Sequence, residues 1–160
     1  MSNNEQLIAY KAPASLVEVR MNQRLYPRLC QYPHDAAIAE LVKIVTTAFL
    51  YTGREVDPSN INFIATNLYD NIMAEDKHGA RNITLYELNR AVKKAVLSGE
   101  MYGISVATLY KAVMDYAKGE GAVADEQAAE KAKHERRVML EKSGVNAMLT
   151  AYTGEFLNKQ

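Results

Sequence analysis

Arg90, Lys93 and Lys94, followed by Ser105, Thr108 and Lys111, are the residues whose types and spacing could do chemistry in this chain. The chemistry would be recognition of nucleic acid. Cationic side chains pair with phosphates, and hydroxyls reach phosphates or base edges. The two groups flank a short connection, Ser98-Gly99-Glu100-Met101-Tyr102-Gly103, between two stretches of helical spacing. Ala95 would let a second helix approach, Gly99 would permit a left-handed turn, and Val106 and Leu109 would seat the second helix, as in a helix-turn-helix. Reading DNA would require Arg81, Arg90, Lys93, Lys94 and Lys111 to share a face with that second helix. Against this, the connection from Gly99 to Ile104 exceeds the usual length of about 3–4 residues. The other reading is two antiparallel helices of a bundle whose polar residues are merely exposed.

Charge distribution bears on that choice. The chain has no formal net charge, but its charges are unevenly placed. Residues 81–119 carry six basic and three acidic side chains, whereas residues 35–80 carry three basic and seven acidic. The DNA-like segment is therefore the most basic, yet its excess is small for a dedicated nucleic-acid domain.

No other constellation carries chemistry. His34, His78 and His134 are far apart, and none has a metal-ligand spacing. Cys30 is alone, so no internal disulfide can form and a reducing cytoplasm is the expected setting. Gly119-Glu120-Gly121 lacks the Lys-Ser/Thr and the preceding strand of a phosphate loop. Glu75-Asp76 reads as a polar helix terminus, no two carboxylates pair by spacing, and no nucleophile motif is present. The expectation is a non-enzymatic protein without cofactor or metal. Tyr102, Tyr110 and Tyr116 gather near the 98–105 connection and read as rings at the rim of a core.

The elements that must position these residues are all helical. Ala14 to Leu25 has apolar residues near helical spacing at Leu16, Val17, Met21 and Leu25, and Pro13 suits its first turn. Arg20, Arg24 and Arg28 would line one face if that helix ran on, but Pro27 opposes it. A second helix is predicted over His34–Thr52, with Ile38, Leu41, Val42, Val45, Ala48 and Phe49 on its stripe and Gly53 after its end. A third starts at Asp57-Pro58, buries Ile61, Ile64, Ala65, Leu68 and Ile72, and runs to an end signal at Lys77-His78-Gly79.

A capping box, Thr84-x-x-Glu87, opens a fourth helix that buries Leu88, Ala91, Val92, Ala95 and Val96 and ends at Gly99. A fifth opens at Ser105, buries Val106, Leu109, Val113 and Tyr116 or Ala117, and is expected to close at Gly119 and Gly121. Residues 122–142 are helix-forming but nearly free of large apolar side chains, with opposite charges at Lys131/Glu135 and Arg137/Glu141. Such a helix is solvated and projects. Ser143-Gly144 is expected to break it. Val145, Met148, Leu149, Tyr152 and Phe156 then restore apolar spacing, which calls for something to dock on.

The prediction is one all-α fold, a compact bundle of five to six helices with a projecting charged helix near the C-terminus, divided into a helical domain over 1–121 and a charged helix with a C-terminal docking segment over 122–160. A chain of 160 residues can bury a core without disulfides or metals. No run of about 18 apolar residues exists, so no transmembrane helix is expected. Met1-Ser2-Asn3-Asn4-Glu5-Gln6 lacks the basic start and apolar centre of a signal peptide.

One resemblance follows from these residues. The segment from Ile83 to Tyr116, ITLYELNRAVKKAVLSGEMYGISVATLYKAVMDY, resembles a pattern in small helical proteins of bacteroidal prophages and mobile elements. The matching residues are Thr84, Glu87, Leu88, Ala91, Gly99, Tyr102, Gly103, Ser105, Thr108 and Tyr116. The resemblance implies a replication-accessory role, such as helping to load a helicase, and implies no catalytic residues. It leaves the charged tail after Gly121 unexplained. The first expectation is thus an interaction protein with a protein partner and no membrane, able to pair with its own copies through 122–160. The second is a DNA-binding helix-turn-helix protein using residues 84–118.

Overall fold

A computed structural model describes residues 15–157, except Asp76, Glu100 and Tyr102; of residues 146, 150 and 152–157 it describes the backbone alone. Among the described residues six α-helices follow one another: α1 (Leu16–Met21), α2 (His34–Thr52), α3 (Pro58–Ala74), α4 (Leu85–Leu97), α5 (Val106–Tyr116) and α6 (Ala122–Leu157). Short 3-10 turns at Leu29–Gln31 and Lys77–Asn82 join them, and a π-turn at Ala117–Gly121 links α5 to α6. The expected all-α bundle with a projecting helix is the fold observed.

Local chemistry explains most boundaries. Asp57 accepts from the Ser59 amide at 3.0 Å and Pro58 occupies the first turn of α3. Gly53 ends α2 at φ 67°, and Gly99 follows α4 at φ 72°, a region that costs a side chain free energy. The Thr84–Glu87 capping box closes in both directions: the Glu87 amide donates to Thr84 Oγ1 at 3.2 Å, and the Thr84 amide donates to Glu87 Oε2 at 3.0 Å. Thr84 is 1% exposed, and its hydroxyl also donates to Glu87 Oε2. Thr84→Ala is therefore expected to cost about 2 kcal/mol, the upper end for a cap. A urea titration showing less than about 0.5 kcal/mol would separate the cap from the stability of the fold.

The core forms where the apolar stripes meet. Leu41, Val45 and Phe49 of α2, Ile64 and Leu68 of α3, Leu88 and Val92 of α4 and Leu109 of α5 are all buried in one cluster. Helix α2 presents Ala37 and Ile44 rather than Ile38 and Val42 as its buried flank, a small rotation of the expected stripe. Among the described residues no helix is long and apolar enough to cross a membrane.

Four boundaries differ from the sequence reading. Helix α1 is only Leu16–Met21, because Asn22 leaves helical geometry (φ −104°, ψ 73°) and its side chain accepts from the Leu25 amide. The arginine ladder is therefore not formed. Helix α3 ends at Ala74, and His78 and Gly79 both take positive φ in the turn beyond it; the proposed polar terminus Glu75-Asp76 lies only partly within the described residues.

The other two differences concern glycine. The expected stop at Gly119 and Gly121 is instead a π-turn through which the helix continues. Gly121 is needed there for close approach: a Cβ would come within 3.2 Å of both the Tyr116 ring and its carbonyl oxygen. Ser143-Gly144 does not break α6 either. One glycine costs a helix only about 1 kcal/mol, and the neighbouring Ala, Met, Leu, Glu and Lys favour helix.

Candidate functional site

Helix α6 is 36 residues long, about 54 Å of helix. Among the described side chains, only those of its first turns pack on the body: Ala124 is buried, and Asp125 and Ala128 are half-buried. From Ala129 to Ala151 every side chain described is exposed except Val138, which is half-exposed. Charged residues dominate up to Arg137, and Arg137 reaches Glu141 at 3.9 Å across one turn. Beyond them Met139, Leu140, Val145, Met148 and Leu149 are each more than half exposed. Val138, Val145 and Leu149 fall on one stripe, at intervals of seven and four. The proposed docking residues Tyr152 and Phe156 belong to the same helix by backbone, with side chains outside the described set.

The arm is anchored by a buried polar cluster. Arg20 of α1 is 5% exposed and Glu87 of α4 is fully buried. Arg20 Nε donates to Glu87 Oε1 at 2.7 Å, and Arg20 Nη1 donates to Asp125 Oδ1 of α6 at 2.8 Å. Tyr116, the last residue of α5, donates its hydroxyl to Glu87 Oε1 at 2.8 Å. With the two bonds from Thr84, the Glu87 carboxylate accepts four hydrogen bonds, so its burial is compensated. One arginine thus ties α1, α4 and the root of the arm together, and the π-turn delivers Asp125 to it.

Burial, and then the bond to Glu87, push the Tyr116 hydroxyl above its ordinary value of 10.0. A group whose folded value is raised contributes stability that is complete below its unfolded value and is lost as pH rises. Unfolding midpoints are therefore expected to fall above about pH 10 more steeply in the native chain than in Tyr116→Phe. Parallel slopes would show that Tyr116 does not titrate differently in the folded state.

Most of the residues proposed to contact DNA are occupied in other ways. Ser105 and Thr108 cap α5: the Thr108 amide donates to Ser105 Oγ at 3.2 Å, and the Ser105 amide donates to Thr108 Oγ1 at 2.9 Å. Thr108 also donates to the Gly103 carbonyl at 2.8 Å. Lys94 and Arg90 converge on Glu120 of the π-turn, Arg90 Nε at 3.6 Å from its carboxylate. The Lys94 ammonium, with Arg90 behind it, holds the Glu120 carboxyl below its ordinary value. Lys93 lies over the Tyr51 ring of α2, 5.8 Å from its centroid. Lys111 is exposed. Arg81 turns to the C-terminal carbonyl of α3, with Nη2 3.4 Å from the Ala74 oxygen.

A cleft between α4 and α5 is lined by Lys94, Ser98, Asp115, Tyr116 and Glu120, so two carboxylates face any anion that enters it. Of the three grouped tyrosines, Tyr116 is buried and Tyr110 packs at the edge of the core, while Tyr102 lies outside the described residues. No local spacing marks Arg20 and Asp125 as a site, because the partners of Arg20 lie 67 and 105 residues away. Comparison of the chain with protein-family models, curated proteins and solved structures finds no match.

Proposed function

We propose that this protein is a non-enzymatic interaction protein whose docking element is the projecting helix α6, acting as an accessory to replication in a mobile element. One observation carries the reading: five large apolar side chains, Met139, Leu140, Val145, Met148 and Leu149, stand exposed on a helix that leaves the body. Holding large apolar groups in water is costly, and the apolar side chains of a projecting helix are commonly taken up by an apolar groove. The occupied state of the arm is therefore a complex with a protein that offers such a groove. The replication role rests on the resemblance of Ile83–Tyr116 alone.

The test is affinity capture from the source cell with the native chain and with a variant carrying Met139→Gln, Leu140→Gln, Val145→Gln and Met148→Gln. These are exposed positions, so stability should stay within about 0.5 kcal/mol per change. The captured protein should disappear with the variant. Equal capture by both chains would overturn the reading.

A second reading, in which α4 and α5 bind DNA, has a different outcome. Lys93→Gln, Lys94→Gln and Lys111→Gln together should then weaken binding and flatten its salt dependence by about 0.9 for each phosphate no longer neutralised. Since Glu120 and Asp115 line the α4/α5 cleft together with Lys94, the expected result is no sequence-selective complex tighter than about 10⁻⁷ M, with any binding in the non-specific range. A tighter complex in a gel-shift titration would put the DNA reading first.

A further inference from the structure

The outer face of α4 carries a groove that the arm does not use. Tyr86, Asn89, Arg90, Lys93, Lys94 and Leu97 line a volume of about 440 Å³ along three turns of the helix. It continues at Tyr86 and Asn89 into a second hollow of about 310 Å³ against α2, where Lys43, Ile44 and Thr47 form the wall. Tyr51 stands one further turn along α2, 45% exposed, under the Lys93 ammonium. Leu97 closes the far end, 60% exposed. The groove thus combines a cationic stripe with the exposed Tyr51 ring, the half-buried Tyr86 ring and an exposed leucine.

The chain itself shows what this stripe recognises. Glu120, carried in by the π-turn, places one carboxylate between Arg90 and Lys94. Arg90 remains half exposed beside it, with the Lys94 side chain 70% exposed. We infer that the α2/α4 groove is a docking site for an amphipathic helical segment of a partner protein, one that presents carboxylates to Arg90 and Lys93 and apolar side chains to Tyr86, Tyr51 and Leu97.

Charge complementarity decides between this occupant and a nucleic acid. A polyanion would run its phosphates past Glu120 at one side and Glu40 at the other, where Glu40 lies 2.7 Å from Lys43. It would also leave Leu97 unused. A peptide places a few carboxylates where the cations stand and covers the apolar wall between them. The groove from Tyr86 to Leu97 is about 16 Å long, enough for apolar residues at i, i+3 or i+4, and i+7 of a bound helix. Glu120 acts as an internal competitor, because it partly neutralises the cations the partner needs.

The experiment is selection of helix-length peptides from a display library on the full chain, followed by fluorescence anisotropy of the selected peptides. Selected sequences should combine Asp or Glu with Leu, Phe or Tyr at helical spacing. Arg90→Glu with Lys93→Glu should weaken their binding about tenfold or more. Glu120→Gln should tighten it by about two- to fivefold, the worth of one surface ion pair. The arm variant with four glutamines should bind them as the native chain does, so failure of the arm reading and failure of this one are separable. The inference is overturned if no peptide is selected, if the selected peptides lack acidic residues or ignore the charge reversals, or if a DNA duplex competes them off. A change of oligomeric state on Arg90→Glu, seen by sedimentation without peptide, would instead assign the groove to a second copy of the chain and would also overturn it.

Discussion

Replacing Arg20 with Met is expected to cost about 3–5 kcal/mol of folding stability, the range for removing one partner of a buried ion pair. The side chain is almost wholly enclosed, and its partner Glu87 has no access to solvent. Met fills much of the volume but supplies no donor, so Glu87 keeps its bonds from Thr84 and Tyr116 and loses the only cation in contact with it among the described residues. The cost comes from the stranded carboxylate rather than from the lost attraction. Adding Glu87→Gln to Arg20→Met should therefore recover part of the loss, since an amide is cheaper to bury than an unpaired charge. Urea titrations of the two single variants and the double variant close the cycle. A single-variant loss below about 1 kcal/mol, or strict additivity, would mean that the pair is not coupled in the folded state.

The same substitution bears on the arm. Arg20 also holds Asp125, which is 45% exposed at its side chain, at the first turn of α6. That outer bond is screened by solvent and is worth little alone. Its value is geometric, because it fixes where a helix of about 54 Å leaves the body. In Arg20→Met the exchange of amides in α1 and in residues 117–128 should rise before that of α3, since local opening follows the elements that lose their tie.

How far the sequence foretold this arrangement depends on the range of the interactions. Leu41, Phe49, Leu68 and Leu109 were legible because a helix stripe is a local pattern, and the caps at Asp57 and Thr84 because a side chain meets its own turn. Glu87 was legible as half of a capping box, but its second oxygen serves Arg20 and Tyr116, and no spacing encodes that. A signal did exist: Arg20 follows Val19 inside the apolar part of α1, where a charge needs a partner. The glycines misled for a physical reason. Gly121 is present for lack of a Cβ against Tyr116, not for a left-handed turn, and Gly144 sits in a helix with nothing within 4 Å of its missing Cβ. Composition does not distinguish a glycine that ends a helix from one that lets two surfaces touch. Among the candidate DNA contacts, Ser105 and Thr108 carried a second meaning at the same spacing, that of a cap, and the cap is what forms.

Phe49→Ala is expected to cost about 3–5 kcal/mol, through the lost transfer of the ring and the cavity left behind. Phe49 is 8% exposed and sits in the cluster that α2 shares with α3, α4 and α5. Backbone around it is pinned, with Thr52 Oγ1 donating to its carbonyl at 2.7 Å and Gly53 ending the helix beyond. Such a site relaxes poorly, which favours the upper part of the range. Met148→Ala makes the sharper comparison. Met148 is 75% exposed, so its removal should change stability by less than about 0.5 kcal/mol although it too deletes a large apolar side chain. Both variants keep helix-forming sequence, so both should keep their helical circular dichroism at room temperature. The difference appears in the urea midpoint alone. A loss below about 1 kcal/mol for Phe49→Ala would place its ring at the surface, and a large loss for Met148→Ala would mean that the arm is packed on the body in solution. In that second case the exposed apolar stripe of α6 would be covered by its own chain, and the docking role assigned to it would fall.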